Sequence, residues 1–339
     1  MKNQQNSVKI LYYQSKMHNS IYLFFVKSSG IFFLILILVS QVHSQGCSDA
    51  GFCTMGAMRP NQAFGRNKNI RVSSVEVGSN IGYTKFKDLI ISNVIDVTVG
   101  VSTKSTLQVR LPYTFVHGKL GNTHGLGDIS LSYTYSVAPT EKYRINFSGG
   151  AKIPTSNSDI FHDSLPLPMY YQTSLGTFDF ITGLSITSQK WMLAAGYQMP
   201  VVSINGNDFR WAAYNNAPSD VRNIALQYPQ SWNLKRGTDV MLRLERNVRF
   251  SRLNFFAGAL AIYRLNKDVI DKSQVPVLVR GAVVGSDGLV VNGLFGGGYQ
   301  FSARSGIKIL VGVKLRAREK NPDGLSREEV ANISYIVKF

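Results

Sequence analysis

The chain ends VANISYIVKF, residues 330–339, in which Ala331, Ile333, Tyr335, Val337 and Phe339 alternate with Asn332, Ser334 and Lys338. Only Ile336 breaks the period of two, so the segment predicts a two-faced strand. The pattern recurs upstream. Leu107, Val109, Leu111, Tyr113 and Phe115 stand against Gln108, Arg110 and Thr114. Ile129, Leu131, Tyr133, Tyr135 and Val137 oppose Asp128, Ser130, Ser132, Thr134 and Ser136, and Ile307, Ile309, Val311, Val313 and Leu315 oppose Lys308, Lys314 and Arg316. Twelve such stretches follow one another, over 71–83, 90–101, 107–116, 127–137, 143–153, 176–186, 191–203, 237–249, 253–265, 288–301, 306–317 and 330–339.

The links between stretches alternate in length. STKST, APTEK, TSQK, RFSR and SARS are short, while 117–126, 154–175, 204–236, 266–287 and 318–329 are long; the tight first link TKFKD is the exception. Outer-membrane barrels join their strands by short periplasmic turns and long external loops, with an even strand number. A soluble sandwich would bury the apolar face in a shared core, but it has no reason to keep this alternation, because both its ends face the same solvent. The expected fold is therefore all-β: a single antiparallel transmembrane β-barrel of about twelve strands over residues 71–339, lipid outside and a polar lumen inside, in the cell outer membrane. An aromatic terminus invites aggregation on a soluble sheet edge. On a barrel, Phe339 with Val337, Tyr335 and Ile333 ends the closing strand and resembles the signal read by the barrel-assembly machinery. That machinery and the outer-membrane lipids are the expected partners.

Composition agrees: 44% of residues are hydrophobic, 17% are charged, and 30 Gly, 16 Tyr and 19 Phe favour an aromatic-rich β protein. Residues 1–44 carry Lys2, Lys9, Lys16 and Lys27 without an acid, then the apolar run Ile31 to Val39 and a short-residue site before Gln45. This order predicts a signal peptide over 1–44, starting at Met1 or Met17; the run is too short to span a bilayer, and Lys27 to Gly30 interrupt a longer anchor. The formal net charge of +17 falls by only those four lysines, so the exported chain remains basic. Export argues against nucleic acid and toward anionic head groups or anionic solutes. Residues 45–70 form a short periplasmic segment in which Cys47 and Cys53 are expected to make a small disulfide loop, with lipidation of Cys47 as the alternative.

The candidate chemistry lies in the lumen. Alternation puts Arg110, Arg144, Lys152, Arg243, Lys308, Lys314 and Arg316 inside, with Glu76, Asp96, Asp128, Asp179, Asp239 and Glu245. Such charges either pair across a narrow lumen or leave a basic eyelet that favours a passing carboxylate or phenolate. YPQSW at Tyr228 to Trp232, with Trp211 and Tyr214, lies in the longest external link and either packs the loop or caps the pore. Enzyme motifs fail: GVSTKST lacks the glycine before Lys104, no G-x-S-x-G elbow occurs, and His162, Asp163 and Ser164 are adjacent side chains that diverge.

GLGDISLSYTYSV at Gly125 to Val137 and LGTFDFITGLSITSQKWMLAAGYQMPV at Leu175 to Val201 resemble the MetA-pathway phenol-degradation family, outer-membrane transporter-like barrels similar to the fatty-acid channel superfamily. The resemblance covers roughly residues 90–339. It implies passive uptake of a small, often apolar compound without a cofactor. Twelve strands instead of the fatty-acid channels' fourteen, and a segment 45–70 too short and polar for a well-formed plug, depart from that pattern. The functional expectation is a channel for a small anionic or aromatic solute; the alternatives are a plugged structural or adhesive barrel and, further off, a barrel lipid hydrolase.

Overall fold

Twelve strands make one antiparallel sheet that closes on itself: β1 (Arg71–Tyr83), β2 (Leu89–Gly100), β3 (Ser105–Gly118), β4 (Ile129–Val137), β5 (Arg144–Ile153), β6 (Thr177–Thr187), β7 (Trp191–Ser203), β8 (Asp239–Phe250), β9 (Leu253–Arg264), β10 (Gly288–Gln300), β11 (Ser305–Arg316) and β12 (Glu329–Lys338). The computed structural model describes residues 55–58, 70–137, 142–274 and 277–339. Residues 1–44, expected to be a signal peptide, and Cys47 and Cys53, expected to pair, lie outside the described residues. No strand end departs from the sequence reading by more than two residues. Each strand pairs with its neighbours in order, and β1 pairs with both β2 and β12, so no edge remains. The backbone amide of Phe339 donates to the carbonyl of Ser73 at 3.0 Å and fastens the chain end to the first strand.

The burial pattern is the reverse of a soluble sheet. In β4 the polar Ser130, Ser132, Thr134 and Ser136 are buried, whereas Leu131, Tyr133, Tyr135 and Val137 are exposed. In β6 Asp179 and Ser185 are buried, whereas Phe178, Phe180, Leu184 and Ile186 are exposed. Apolar side chains can stand outward on every strand only if the surrounding solvent is lipid; a Lys or Arg there would cost about 2–4 kcal/mol at the bilayer midplane. The inward polar groups meet across strands. Asn146 bonds Ser136 at 2.7 Å and Ser185 at 3.1 Å, and Gln108 donates to Asp96 at 2.7 Å. The barrel is a transmembrane barrel of the outer-membrane type.

The turns at one end are short. STKS at 102–105 and SARS at 302–305 fold alike: the first serine hydroxyl accepts from the backbone two residues on, at 3.2 and 3.1 Å, and meets the last serine's hydroxyl. At the other, external end the long links carry structure of their own: a strand Gly121–Leu126 extending β3, hairpins at 161–166 and 269–282, and a helix α1 (Ser219–Ala225). Leu167, Tyr170, Tyr171, Phe209, Tyr214, Ala225 and Tyr228 pack there with Ile90, Val116 and Leu120 into a core that caps the barrel. Tyr228 and Tyr214 are thus packing residues of the cap, while Trp211 is partly exposed and donates its indole N–H to the carbonyl of Tyr228.

One part of the N-terminal segment is not outside the wall. Met55 and Met58, fully buried, share an apolar cluster with the inward-facing Ile181, Met192, Ala194, Met241, Leu260, Ile262, Val290 and Leu294. A Cβ at Gly183, on the lumen face of β6, would collide with the Met58 sulfur. The expectation that this segment is too polar for a plug is corrected on this point: it carries two long, flexible apolar side chains that fill the lumen beside β6 to β10.

Candidate functional site

Beside the Met55 and Met58 cluster the barrel holds three cavities, bordered by β5 and β8 to β12 at the short-turn end, by β1 to β3 and β8 to β12 in the middle, and by β2 to β5 and the loops at the external end. At the short-turn end a mouth of about 510 Å³ is lined by Arg144, Arg249, Arg252, Lys308 and Lys338, with no carboxylate among its described lining residues. A middle cavity of about 100 Å³ lies between Glu76, Asp96, Arg110, Arg243 and Lys308. An outer cavity of about 90 Å³ lies under the loops between Arg110, Lys152, Arg327, Asp128, Asp323 and Tyr170. Lys308 and Asn254 border both the mouth and the middle cavity, and Val94 and Arg110 border both the middle and the outer one. Neighbouring cavities thus share lining residues from the short-turn mouth to the external loops, and Arg110 stands between the middle and outer ones.

The charges assigned to the lumen from alternation are largely found there, in pairs. Lys308 bonds Glu76 at 3.0 Å, Lys314 bonds Glu328 at 2.7 Å, and Arg243 donates to Glu245 at 2.7 Å through Nε. Lys152 lies 3.3 Å from Asp128 and 3.5 Å from Asp179, and Arg110 stands opposite Asp96 in the β2–β3 register. Arg144 is half-buried at the mouth. Arg316 departs from the reading. A β-bulge slips the β10–β11 register so that Lys314 faces the buried Asn292 but Arg316 faces Val291, on the lipid side, and is exposed.

Alternation alone missed the most heavily charged region. At the external end Arg264, almost fully buried, reaches Asp239, Asp268 and Asp323 at 2.8 Å each, and Arg236 reaches Asp179 at 3.0 Å and Asp239 at 3.3 Å. Burial alone would raise the Asp323 carboxyl, but Arg264, Arg318 and Arg236 hold it well below the ordinary carboxylate range. Arg264 shares the inward face of Leu260 and Ile262, so its place was readable; Arg236, Asp268, Arg318 and Asp323 sit in irregular links where no periodicity points.

Two contacts close the path from outside. Asp88, fully buried in the β1–β2 turn, accepts from Tyr171 at 2.7 Å, Tyr228 at 2.8 Å and Thr84 at 2.8 Å, joining links 154–176 and 204–238 to the barrel rim. Burial first, and then the Asp88 carboxylate, push both phenols far up, so they remain donors. Gly324, at φ +70°, packs on the backbone of Met169, where a Cβ would lie 2.6 Å from the carbonyl carbon. His162 Nε2 lies 3.6 Å from the Asp163 carboxylate, so these two side chains do not diverge as expected, but both are exposed and Asp163 and Ser164 are the positive-φ residues of a two-residue hairpin turn; His117 and His124 bond Asn122 and Tyr113. Among the described residues no group of His, Cys, Asp or Glu gathers that could hold a metal ion.

No protein-family model matches the chain, and no curated protein matches it. Among solved structures it is similar to the COG4313 outer membrane channel from Pseudomonas putida F1, with 14% identity, covering 83% of this chain and 99% of that one at a TM-score of 0.53. It is also matched to the NanC porin, at 8% identity, 79% and 100% coverage and a TM-score of 0.44, and to the CymD monoaromatic hydrocarbon channel, at 11%, 88% and 98%, and 0.40. The first of these likenesses supports the fold, an outer-membrane β-barrel.

Proposed function

We propose that the protein is a passive outer-membrane channel for small polar solutes, with a preference for anions. The observation that carries this reading is the basic mouth, whose described lining residues include five cationic side chains, one of them Lys308 paired with Glu76, and no carboxylate. A narrow wall of low dielectric strengthens the field of charge of one sign, so anions are drawn to that end. The similarity in fold to an outer membrane channel supports the transport half of the proposal. The middle and outer cavities, about 100 and 90 Å³, limit the solute to a small molecule.

Planar-bilayer recordings with a potassium chloride gradient test it. The wild-type protein is expected to give a reversal potential on the anion side, and Arg144→Gln, Arg249→Gln, Arg252→Gln and Lys338→Gln together are expected to move it toward cations while the barrel still assembles. An unmoved reversal potential overturns the anion preference. The second reading is a plugged structural barrel, favoured by the Met55 and Met58 cluster and the closed cap. Bilayers that stay silent with the folded protein would establish it instead.

A further inference from the structure

We infer that the outer cavity is a binding site for a small carboxylate, a conclusion that rests on the channel reading and names its solute class. The cavity measures about 90 Å³, below the roughly 150 Å³ that takes a benzene ring, so an acetate-sized molecule fits and an aromatic one does not. Three cationic residues line it, Arg110, Lys152 and Arg327, each more than nine-tenths buried.

The decisive group is Tyr170. It is 2% exposed, yet its hydroxyl has no hydrogen-bond partner, while the neighbouring phenols of Tyr171 and Tyr228 both bond Asp88. Buried polar groups are almost always satisfied, so an orphaned phenol beside a polar cavity points to an acceptor that belongs there. Burial keeps the phenol protonated and hence a donor. Asp128 is engaged by Ser174 at 2.5 Å, the Leu175 amide at 3.1 Å and Lys152; Asp323 forms an ion pair with Arg264 at 2.8 Å that lacks hydrogen-bond alignment, so its Oδ2, like the Tyr170 hydroxyl, makes no hydrogen bond. The cations are shared too, Lys152 between Asp128 and Asp179 and Arg327 with the Gly324 carbonyl at 3.0 Å, so an entering carboxylate would join partly used cations beside Asp128 and Asp323 and would accept from the Tyr170 phenol. The contact of Gly324 with Met169 roofs the cavity, and Arg110 floors it, so a bound solute rests between the closed loops and the path.

The experiment is calorimetric titration of the full-length protein in detergent with sodium acetate, with sodium chloride as the ionic-strength control. Saturable acetate binding is expected, displaced by formate and not by benzoate. Tyr170→Phe is expected to weaken it about tenfold or more, the size of one hydrogen bond to a charged group, without lowering the barrel's thermal midpoint, since the hydroxyl bonds nothing in the protein. Absence of saturable binding, equal affinity in Tyr170→Phe, or benzoate binding as tightly as acetate would overturn the site. If the variant fails to assemble, formate and benzoate competition on the wild-type protein decides alone. Anion-selective conductance without acetate binding removes this site and leaves the channel; acetate binding with silent bilayers does the reverse.

Discussion

Replacing Asp88 by Ala should release the external cap. The fully buried carboxylate accepts from phenols of two different links, Tyr171 at 2.7 Å and Tyr228 at 2.8 Å, which also bond each other at 3.2 Å. Hydrogen bonds to a charged group contribute about 1.5–3 kcal/mol each, so the gross loss is about 3–6 kcal/mol. Removing the carboxylate also removes the several kcal/mol that burying it costs, which brings the net loosening to about 2–3 kcal/mol. At 1.4 kcal/mol per factor of ten, the open form becomes about 30- to 150-fold more populated. Trypsin reads that population, because cleavage of a transiently opened segment follows its equilibrium when reclosing is fast. Arg222 on α1 and the buried Arg236 offer sites within link 204–238. Cleavage in that link, followed by mass spectrometry on protein that still shifts mobility on heating, should accelerate by about that factor, and Asp88→Asn, which keeps an acceptor, by less. A rate within about threefold of wild type would mean that the cap is held elsewhere, and the reasoning from these bonds would fail.

Arg264→Ala leaves Asp239, Asp268 and Asp323 buried without their shared guanidinium and should destabilise the barrel by about 3–5 kcal/mol, read as a lower midpoint of the heat-dependent gel shift; Arg264→Lys should recover only part, since an ammonium cannot reproduce the fork. Gly183→Leu occupies the position of Met58 and should displace the N-terminal segment, raising single-channel conductance; an unchanged conductance would show that the segment does not restrict the path. Deleting Phe339 should lower the yield of folded barrel in the outer-membrane fraction while Phe339→Tyr preserves it, and equal yields would dismiss the terminal aromatic as an assembly signal.

The barrel was legible because its information is local and repeated. A strand such as β4 states its two faces residue by residue, and alternation of short and long links states which end each strand comes from. The lumen was legible only where that alternation holds. It placed Lys308, Lys314 and Arg243 correctly and failed at Arg316, because a bulge turns one residue and the sequence around Leu315 carries no sign of it. The aromatics of the cap, Tyr214 and Tyr228, could be singled out from the sequence, but its ion pairs could not, for a different reason. Asp323, Asp268 and Arg236 meet through loops far apart in the chain, and no period connects them. Met55 and Met58 show a further limit: a short segment's mean polarity says little when two side chains do the filling.

The distribution of charge along the axis separates what holds the barrel from what a solute would feel. At the external end, Arg236, Arg264 and Arg318 alternate with Asp179, Asp239, Asp268 and Asp323, so charges of both signs lie within a few ångströms and their fields largely cancel. Buried pairs of this kind contribute little net stability against apolar packing, because desolvation opposes the attraction, but breaking one member is costly. Their effect is to fix where the links 204–238, 265–287 and 317–328 meet the wall. At the mouth the charged side chains among the described lining residues carry one sign only, they are closer to solvent, and Arg144, Arg249 and Lys338 come from the ends of three strands and Arg252 from the β8–β9 turn of the short-turn rim. Charge there contributes little to folding and projects along the path. On the channel reading proposed above, the outer lattice would set the shape of the path and the inner rim its potential, with Arg110, opposite Asp96, between the middle and outer cavities.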